Sequence, residues 1–288
     1  VPLTTTGELV TRAAARRSAV ASFNVITLEH VEAVVAGAES ANAPVVLQVS
    51  ENAVKFRHGR LLPLARAAVA AAERAAVPVA LHLDHVHSDT LLRQAPDAGF
   101  GSVMYDASRL PYADNLAATR AAVDWAHARG LWIEAELGEI GGKGGQAAPD
   151  AHAPGARTDP DRARAFVAAS GVDALAVAIG TTHAMTTRTA TLDHALLERL
   201  AAALDVPLVL HGSSGLPDRE LAAAVAGGIT KVNVGTALNI AMTGAIREFL
   251  TAHPEAVDSR GYLTVGREAM TRAVTGIIEA LGAVPAPP

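Results

Sequence analysis

Pro78-Val79-Ala80-Leu81-His82-Leu83-Asp84-His85 is a short apolar run that opens on proline and closes on an acid and an imidazole. Pro207-Leu208-Val209-Leu210-His211-Gly212-Ser213-Ser214-Gly215 follows the same plan, as does Ala174-Leu175-Ala176-Val177-Ala178-Ile179-Gly180-Thr181-Thr182-His183. A strand covered on both faces of a parallel sheet reads as a continuous apolar run, with its C-terminal end emerging at a polar site. Three strand ends that each deliver a histidine call for a fold in which strand ends converge.

Working outward, strand and helix signals alternate along the whole chain. A helix from Thr6 to Arg17 precedes the strands Val20 to Val25 and Pro44 to Ser50, which are separated by an amphipathic run from Leu28 to Ala41. A helix from about Leu61 to Ala75 leads to the strand at Pro78, and the pair Ser88-Asp89 then reads as a helix N-cap. Ser102 to Asp106 is the fourth strand, and a helix from Tyr112 to Arg129 stops at Gly130 before the fifth, Leu131 to Leu137. After Asp161 to Ser170, the strand at Ala174 and a threonine-rich loop (Thr181 to Thr191), helix Asp193 to Leu204 leads to the strand at Pro207. Asp218 to Ala226 leads to the eighth strand, Ile229 to Val234, and helices Leu238 to Thr251 and Arg267 to Leu281 close the chain. Eight strand–helix units predict a single (β/α)8 TIM barrel with extra terminal helices, one domain over residues 1–288. An open doubly wound sheet is the alternative, but no Gly-x-Gly-x-x-Gly follows the first strand.

Composition narrows the partners. The chain has 288 residues, half of them hydrophobic, enough for one large core. Its formal charge of −5 comes from interspersed charges with no basic block, which argues against nucleic acid and anionic membranes. There is no cysteine, so disulfides and thiolate chemistry are excluded, in keeping with a reducing, cytoplasmic setting. Neither a secretory h-region nor an apolar run of membrane-spanning length is present.

Catalytic residues of such a barrel lie at the C-terminal ends of its strands. Those ends read Asn24, Ser50, Asp84-His85, Asp106, Glu136, Thr181 to His183, His211 to Ser214 and Asn233 to Thr236, each of them polar. His85, His183 and His211 would face a common point. Three neutral imidazoles with one open position is the pattern of a catalytic zinc site. A lone strand-end histidine is more simply a hydrogen-bonded structural residue, and convergence is what favours ligation. His82, inside its strand, and His87, past the turn, rank below His85. His30, His58 and His127 fall on helix or loop segments where a solvated role suffices. Gly212-Ser213-Ser214-Gly215 and Asn233-Val234-Gly235-Thr236 follow the seventh and eighth strands, where this fold holds phosphate on backbone N–H groups and hydroxyls.

At these residues the chain resembles the class II, metal-dependent fructose- or tagatose-bisphosphate aldolases. The matching segments are His82-Leu83-Asp84-His85, Ile133-Glu134-Ala135-Glu136-Leu137-Gly138, Val177-Ala178-Ile179-Gly180-Thr181, Val209 to Gly215 and Lys231-Val232-Asn233-Val234-Gly235-Thr236, in the family's order. The short chain is similar to the tagatose-type branch. The resemblance implies cleavage of a ketose 1,6-bisphosphate to dihydroxyacetone phosphate and an aldehyde such as glyceraldehyde 3-phosphate. It implies one Zn²⁺ held by His85, His183 and His211, a monovalent cation beside it, and Asp84 as acid/base. Asp106 and Glu136 match carboxylates offering an alternate metal position. Gly212, Ser213, Ser214, Asn233, Val234, Gly235 and Thr236 match the dihydroxyacetone phosphate site, and Ala184 a substrate-contacting position. Asn24 and Ser50 match positions near the far end of the sugar phosphate. Arg260 matches a residue lent to a neighbouring subunit, so a homodimer or homotetramer is implied. The chemistry agrees: cleavage between C3 and C4 leaves a carbanion that needs an electron sink, which Zn²⁺ at the C2 carbonyl supplies, and a base for the C4 hydroxyl. Lys231, alone among lysines within a predicted strand, would have to carry a Schiff-base mechanism, leaving the histidines unexplained.

Two departures stand out. The loop from Gly138 to Asp159, too long and too rich in glycine and proline for an ordinary connection, reads as a lid or as a surface insertion. Relatives carry an acid there after a glycine pair, whereas here Gly141-Gly142 leads to Lys143-Gly144-Gly145-Gln146, with Glu139 and Asp150 the nearest acids. Ala184 stands where relatives usually have glycine, and it crowds the substrate if the position needs a positive φ. The missing acid is the argument for a rival, a non-catalytic sugar-phosphate-binding protein. A metal-dependent hydrolase on the same barrel is a second rival, disfavoured because the first strand ends Phe23-Asn24-Val25 and lacks His-x-His.

Overall fold

The structure, a computed structural model, describes residues 3–138 and 156–282. Eight parallel strands close into a barrel: β2 (Val20–Asn24), β3 (Val45–Ser50), β4 (Val79–Val86), β5 (Ser102–Tyr105), β6 (Trp132–Leu137), β7 (Ala174–Val177), β8 (Leu208–Leu210) and β9 (Ile229–Val234). Neighbours pair in sequence order, and β9 returns to β2 at Val20↔Lys231 to complete the ring. The expected (β/α)8 TIM barrel is thus the observed one.

A ninth strand, β1 (Leu3–Thr4), was not anticipated. It pairs with the start of β4 at Leu3↔Val79 and Thr4↔Ala80, along the edge that β5 takes over from His82↔Ser102 onward. Two residues carry too little alternation to announce a strand.

The helices are α1 (Thr6–Ala15), which closes one end of the barrel, and those packed around it: α2 (Leu28–Ser40), α3 (Glu51–Phe56), α4 (Leu62–Arg74), α5 (Asp89–Leu92), α6 (Ala95–Ala98), α7 (Tyr112–His127), α8 (Pro160–Ser170), α9 (His194–Ala203), α10 (Asp218–Ala226), α11 (Thr236–Ala252) and α12 (Ser259–Ala280). Ser88 caps α5 as expected, accepting from the Leu91 N–H, but the helix lasts one turn and resumes as α6 with Pro96 in its first turn. The short α3 was missed, although Ser50 in front of Glu51-Asn52-Ala53 is its N-cap and accepts from the Ala53 N–H. α12 starts eight residues earlier than Arg267, placing Arg260 in its first turn.

Strand alternation divides the interior. Odd-numbered β4 residues such as Val79, Leu81 and Leu83 join the large apolar cluster under the helices. Ala80 meets Val20, Val46, Leu9 and Val10, so α1 plugs the barrel's N-terminal end with hydrocarbon. Above that plug the barrel axis is polar: Ser22, Gln48, His82, Glu134 and Lys231 are all fully buried. Barrel interiors are usually filled by branched apolar side chains, so this layer needs a reason. It lies directly below the cluster of strand ends.

Candidate active site

His85, His183, His211 and Glu136 bring one potential ligand atom each to within 4.8 Å of one another. The three imidazoles stand edge-on, with ring centroids 4.9 to 5.7 Å apart. The strand ends therefore converge as the sequence implied. His85 reaches the cluster through an irregularity: its φ is +47°, and the register of β4 against β5 shifts between Leu83 and Val86. A left-handed non-glycine residue is costly and marks a constrained site. Here it turns the imidazole into the barrel mouth beside Asp84.

The carboxylates differ in position. Glu136, on β6, belongs to the cluster and lies 3.1 Å from His211 Nδ1. Asp106 stands one step back. Its Oδ2 is 2.8 Å from His85 Nδ1, and its Oδ1 accepts from the Ser108 N–H and hydroxyl. That arrangement orients His85 with Nε2 forward, 4.0 Å from Asp84 Oδ1.

Asp84 is buried and accepts from Asn24 Nδ2 at 3.2 Å and Asn233 Nδ2 at 3.5 Å. Burial alone would raise its pKa, but His85, His211, His82 and Lys231 outweigh it and hold the carboxyl below its usual range. Asn24 is itself oriented from behind by Gln48, whose Nε2 donates to Asn24 Oδ1 at 2.8 Å, and Gln48 accepts from the Ser22 hydroxyl. Both amides thus present donors to an ionised Asp84.

A cavity of about 560 Å³ opens over these groups. Asn24, Ser50, Asp84, His85, His183, Ala184, Gly212, Ser213, Ser214, Asn233, Gly235 and Thr236 all line it. Among the other residues named from the sequence, Val234 is buried and lines a smaller cavity behind the loops. Arg260 lies on the surface, 90 % exposed and paired with Asp258. Five further lining residues went unanticipated: Ile26, Asn52, Ala53, Phe56 and Asn239. Three of these sit on α3, the helix whose cap was legible but unread.

The loop after β8 is shaped for a close approach. Gly212 has φ +67°, and a Cβ there would lie 2.6 Å from the Thr182 carbonyl oxygen. Ser213 Oγ donates to the Asn233 carbonyl at 2.6 Å, tying the two loops together. Ser214 Oγ accepts from the Ala237 N–H in the first turn of α11, whose positive end points at the cavity.

Ala184 has φ +60°, the left-handed conformation in which glycine costs least. It lines the mouth of the cavity, partly exposed, with little packing to lose. Ala184→Gly is therefore expected to stabilise the fold by about 1 kcal/mol, the left-handed penalty less glycine's entropy in the unfolded chain. Denaturant unfolding measures it, and a loss of stability would mean that the methyl makes contacts outweighing the strain.

Two histidines, His30 and His211, depart from expectation, while His82 lies inside its strand as expected. His30, taken as solvated, is buried; burial holds its pKa down, and its ring bonds Thr27 and the cavity residue Asn239. His82 is fully buried, with Nδ1 2.8 Å from Ser102 Oγ, and burial together with Lys231 pushes its pKa down to about 3. His211 is pushed up to about 9, because hydrogen bonds to Glu134 and Glu136 outweigh burial. Segment 139–155, holding Gly141 to Gln146, Glu139 and Asp150, lies outside the described residues. Beyond that segment, Thr158 donates its hydroxyl to Leu137 O and its N–H to Ala178 O, bridging the ends of β6 and β7.

The parallel barrel thus gathers three histidines, a glutamate and two polar loops around one mouth, a group that could hold a metal ion beside a cavity. The chain matches the fructose-bisphosphate aldolase class-II family over residues 4–285 and belongs to it. Among solved structures it is similar to the YdjI aldolase from Escherichia coli K12, at 31 % identity and TM-score 0.83 over 98 % of both chains. It is also similar to a putative fructose-1,6-biphosphate aldolase from Coccidioides immitis, at 29 % identity and TM-score 0.84 over 96 % of both. A fructose-bisphosphate aldolase from Campylobacter jejuni shares the fold, with 23 % identity and TM-score 0.82 over 99 % of this chain and 97 % of that one. Among the described residues no helix is long and apolar enough to cross a membrane.

Proposed function

We propose that this aldolase reversibly cleaves a ketose 1,6-bisphosphate of the fructose or tagatose type, giving dihydroxyacetone phosphate and an aldehyde such as glyceraldehyde 3-phosphate. One observation carries the reading: Asp84, His85 and His183 of the histidine cluster, and the two glycine- and hydroxyl-containing loops line a single cavity, with His211 buried directly behind its wall. The donor set suits a zinc ion, since three imidazoles and one carboxylate approach one point and three protein ligands leave a position open. His85, His183 and His211 would hold it, with Glu136 as the alternate ligand. Bound there, the ion would act as the Lewis acid for the carbonyl.

The protein's own groups do the rest. The loops after β8 and β9 bind the phosphate next to the N-terminus of α11, which fixes the ketose end. The ionised Asp84 takes the proton of the hydroxyl on the carbon that becomes the aldehyde and returns it in the reverse direction. Asn24 and Asn233 aim both carboxylate oxygens. Asn24 and Ser50 extend the site toward the far end of the sugar, with Asn52 and Phe56 beyond.

A homodimer or homotetramer completes the proposal. Arg260, exposed on α12 and away from its own cavity, is free in position to serve a neighbouring subunit. α11 has a single buried residue, Leu238, and exposes Ile240 and Leu250. A cytoplasmic setting fits the absence of cysteine.

The test is a cleavage screen of fructose and tagatose 1,6-bisphosphates, with and without added zinc, following triose phosphate release. Release is expected from at least one of the two and is expected to stop with a chelator. Cleavage that continues after verified metal removal would overturn the mechanism.

A further inference from the structure

His211 sits between two carboxylates of one strand. Glu134 and Glu136 are two apart on β6 and so point to the same side. Glu136 belongs to the ligand cluster and faces Nδ1 at 3.1 Å. Glu134 lies deeper, with Oε1 2.9 Å from His211 Nε2. Its other oxygen accepts from Lys231 Nζ at 2.9 Å. Lys231 also donates to Asn233 Oδ1 at 2.8 Å, which fixes that amide with Nδ2 toward Asp84. One buried ammonium therefore stands behind both halves of the site.

Glu134, His211 and Lys231 are fully buried, and neither Lys231 nor Glu134 lines the cavity. An ion pair at such depth stabilises little and is often replaceable by apolar residues of similar volume. Packing is thus a poor reason for its presence, and aiming its neighbours is a better one. The sequence offered Lys231 only as a Schiff-base candidate. The structure places its nitrogen below the floor of the cavity and against a carboxylate.

We propose that Glu134 and Lys231 are positioning residues that set the tautomer of His211. Glu134 accepts the Nε2–H, so the Nδ1 lone pair is presented to the cluster. Lys231 occupies the second carboxylate oxygen, so Glu134 cannot turn away, and the same ammonium locks Asn233 against Asp84. The inference rests on the metal reading given above and refines which atoms serve it.

The logic is sharpest in Glu134→Gln. Lys231 can only donate, so the carbonyl of the substituted amide turns to it and the NH₂ faces His211 Nε2. The imidazole proton is then driven to Nδ1, the atom needed for the ion. Zinc affinity, measured by chelator competition, is expected to fall roughly 10–100-fold, the usual cost of losing a hydrogen-bond partner behind a ligand. In Glu134→Gln/Lys231→Met no ammonium competes for the carbonyl, which can again accept from Nε2–H. The double variant should bind zinc more tightly than the single one, a recovery that a merely structural pair would not give. Zinc affinity in Glu134→Gln equal to wild type, or a double variant no tighter than the single, overturns the proposal.

A measurement on the unmodified protein serves if the variants fail to fold. In zinc-loaded protein labelled with ¹⁵N-histidine, His211 should carry its proton on Nε2 and bond the metal through Nδ1, and the reverse assignment overturns the proposal. Wild-type protein that binds no zinc at all would instead sink the metal reading on which it rests.

Discussion

Asp84→Ala is expected to lose at least about 100-fold in cleavage rate while keeping its metal, the scale on which a general acid/base contributes. The argument begins with charge. Asp84 is buried, yet three histidines and Lys231 hold it ionised, and two amide donors aim it into the cavity. Removing the carboxylate leaves those donors facing a space that opens to the cavity, where water can satisfy them, so the fold should survive. No ligand of the cluster is deleted, since the four residues that converge are His85, Glu136, His183 and His211. What disappears is the acceptor for the substrate hydroxyl proton. Because that proton moves in the transition state, the loss should fall on kcat, with little change in KM. Steady-state kinetics alongside metal analysis separate the outcomes. Near-normal turnover removes Asp84 from the mechanism, and a variant that has lost its metal shows that the residue also supports the ion.

The barrel was legible because its signals are long and repeated. Pro44, Pro78 and Pro207 each stand directly ahead of a buried strand, and the apolar runs after them need no tertiary information to be read. Convergence of His85, His183 and His211 followed from topology, since a closed parallel barrel leaves its strand ends nowhere else to go. What failed to show were features made by three-dimensional neighbours. Glu136 was legible as the end of its strand and does join the cluster, but nothing in Ile133-Glu134-Ala135-Glu136 shows that Glu134, on the same face and one step deeper, bonds the other ring nitrogen of His211. His30 looked like a solvated helix residue, yet Asn239, more than two hundred positions away, accounts for one of its two ring bonds. The sequence argued against a Schiff-base role for Lys231 because the histidines would go unexplained, but only its partners Glu134 and Asn233 reveal a buried ammonium with no face on the cavity. The positive φ of Ala184 lies between these cases: a conditional expectation from sequence that the backbone meets.

The second large effect concerns the metal. His183→Ala should empty the site and with it abolish cleavage, whereas His87→Ala should leave the metal content as it was. Both residues are histidines near strand ends, and His87 is only two positions from His85, so the contrast tests geometry and not composition. His183 brings a ligand atom within 4.8 Å of those of His85, Glu136 and His211. His87 is outside that group, partly exposed, with Nε2 3.6 Å from Asp106 and Nδ1 3.8 Å from Glu51. Removing one of three nitrogen ligands leaves two imidazoles and a carboxylate, and a catalytic zinc site is ordinarily held by three protein ligands with an open fourth position. Glu136 can restore the number but not the nitrogen donor, so residual binding should be weak and pH-dependent, since protons compete with the metal for its ligands. Metal analysis after dialysis against a mild chelator gives the stoichiometry of each variant, and activity follows on the same samples. Full occupancy in His183→Ala would place the ion elsewhere in the mouth. An empty site in His87→Ala would mean that the ion is held on the Asp106 side of His85, with the turn after β4 supplying the ligand assigned here to its last residues.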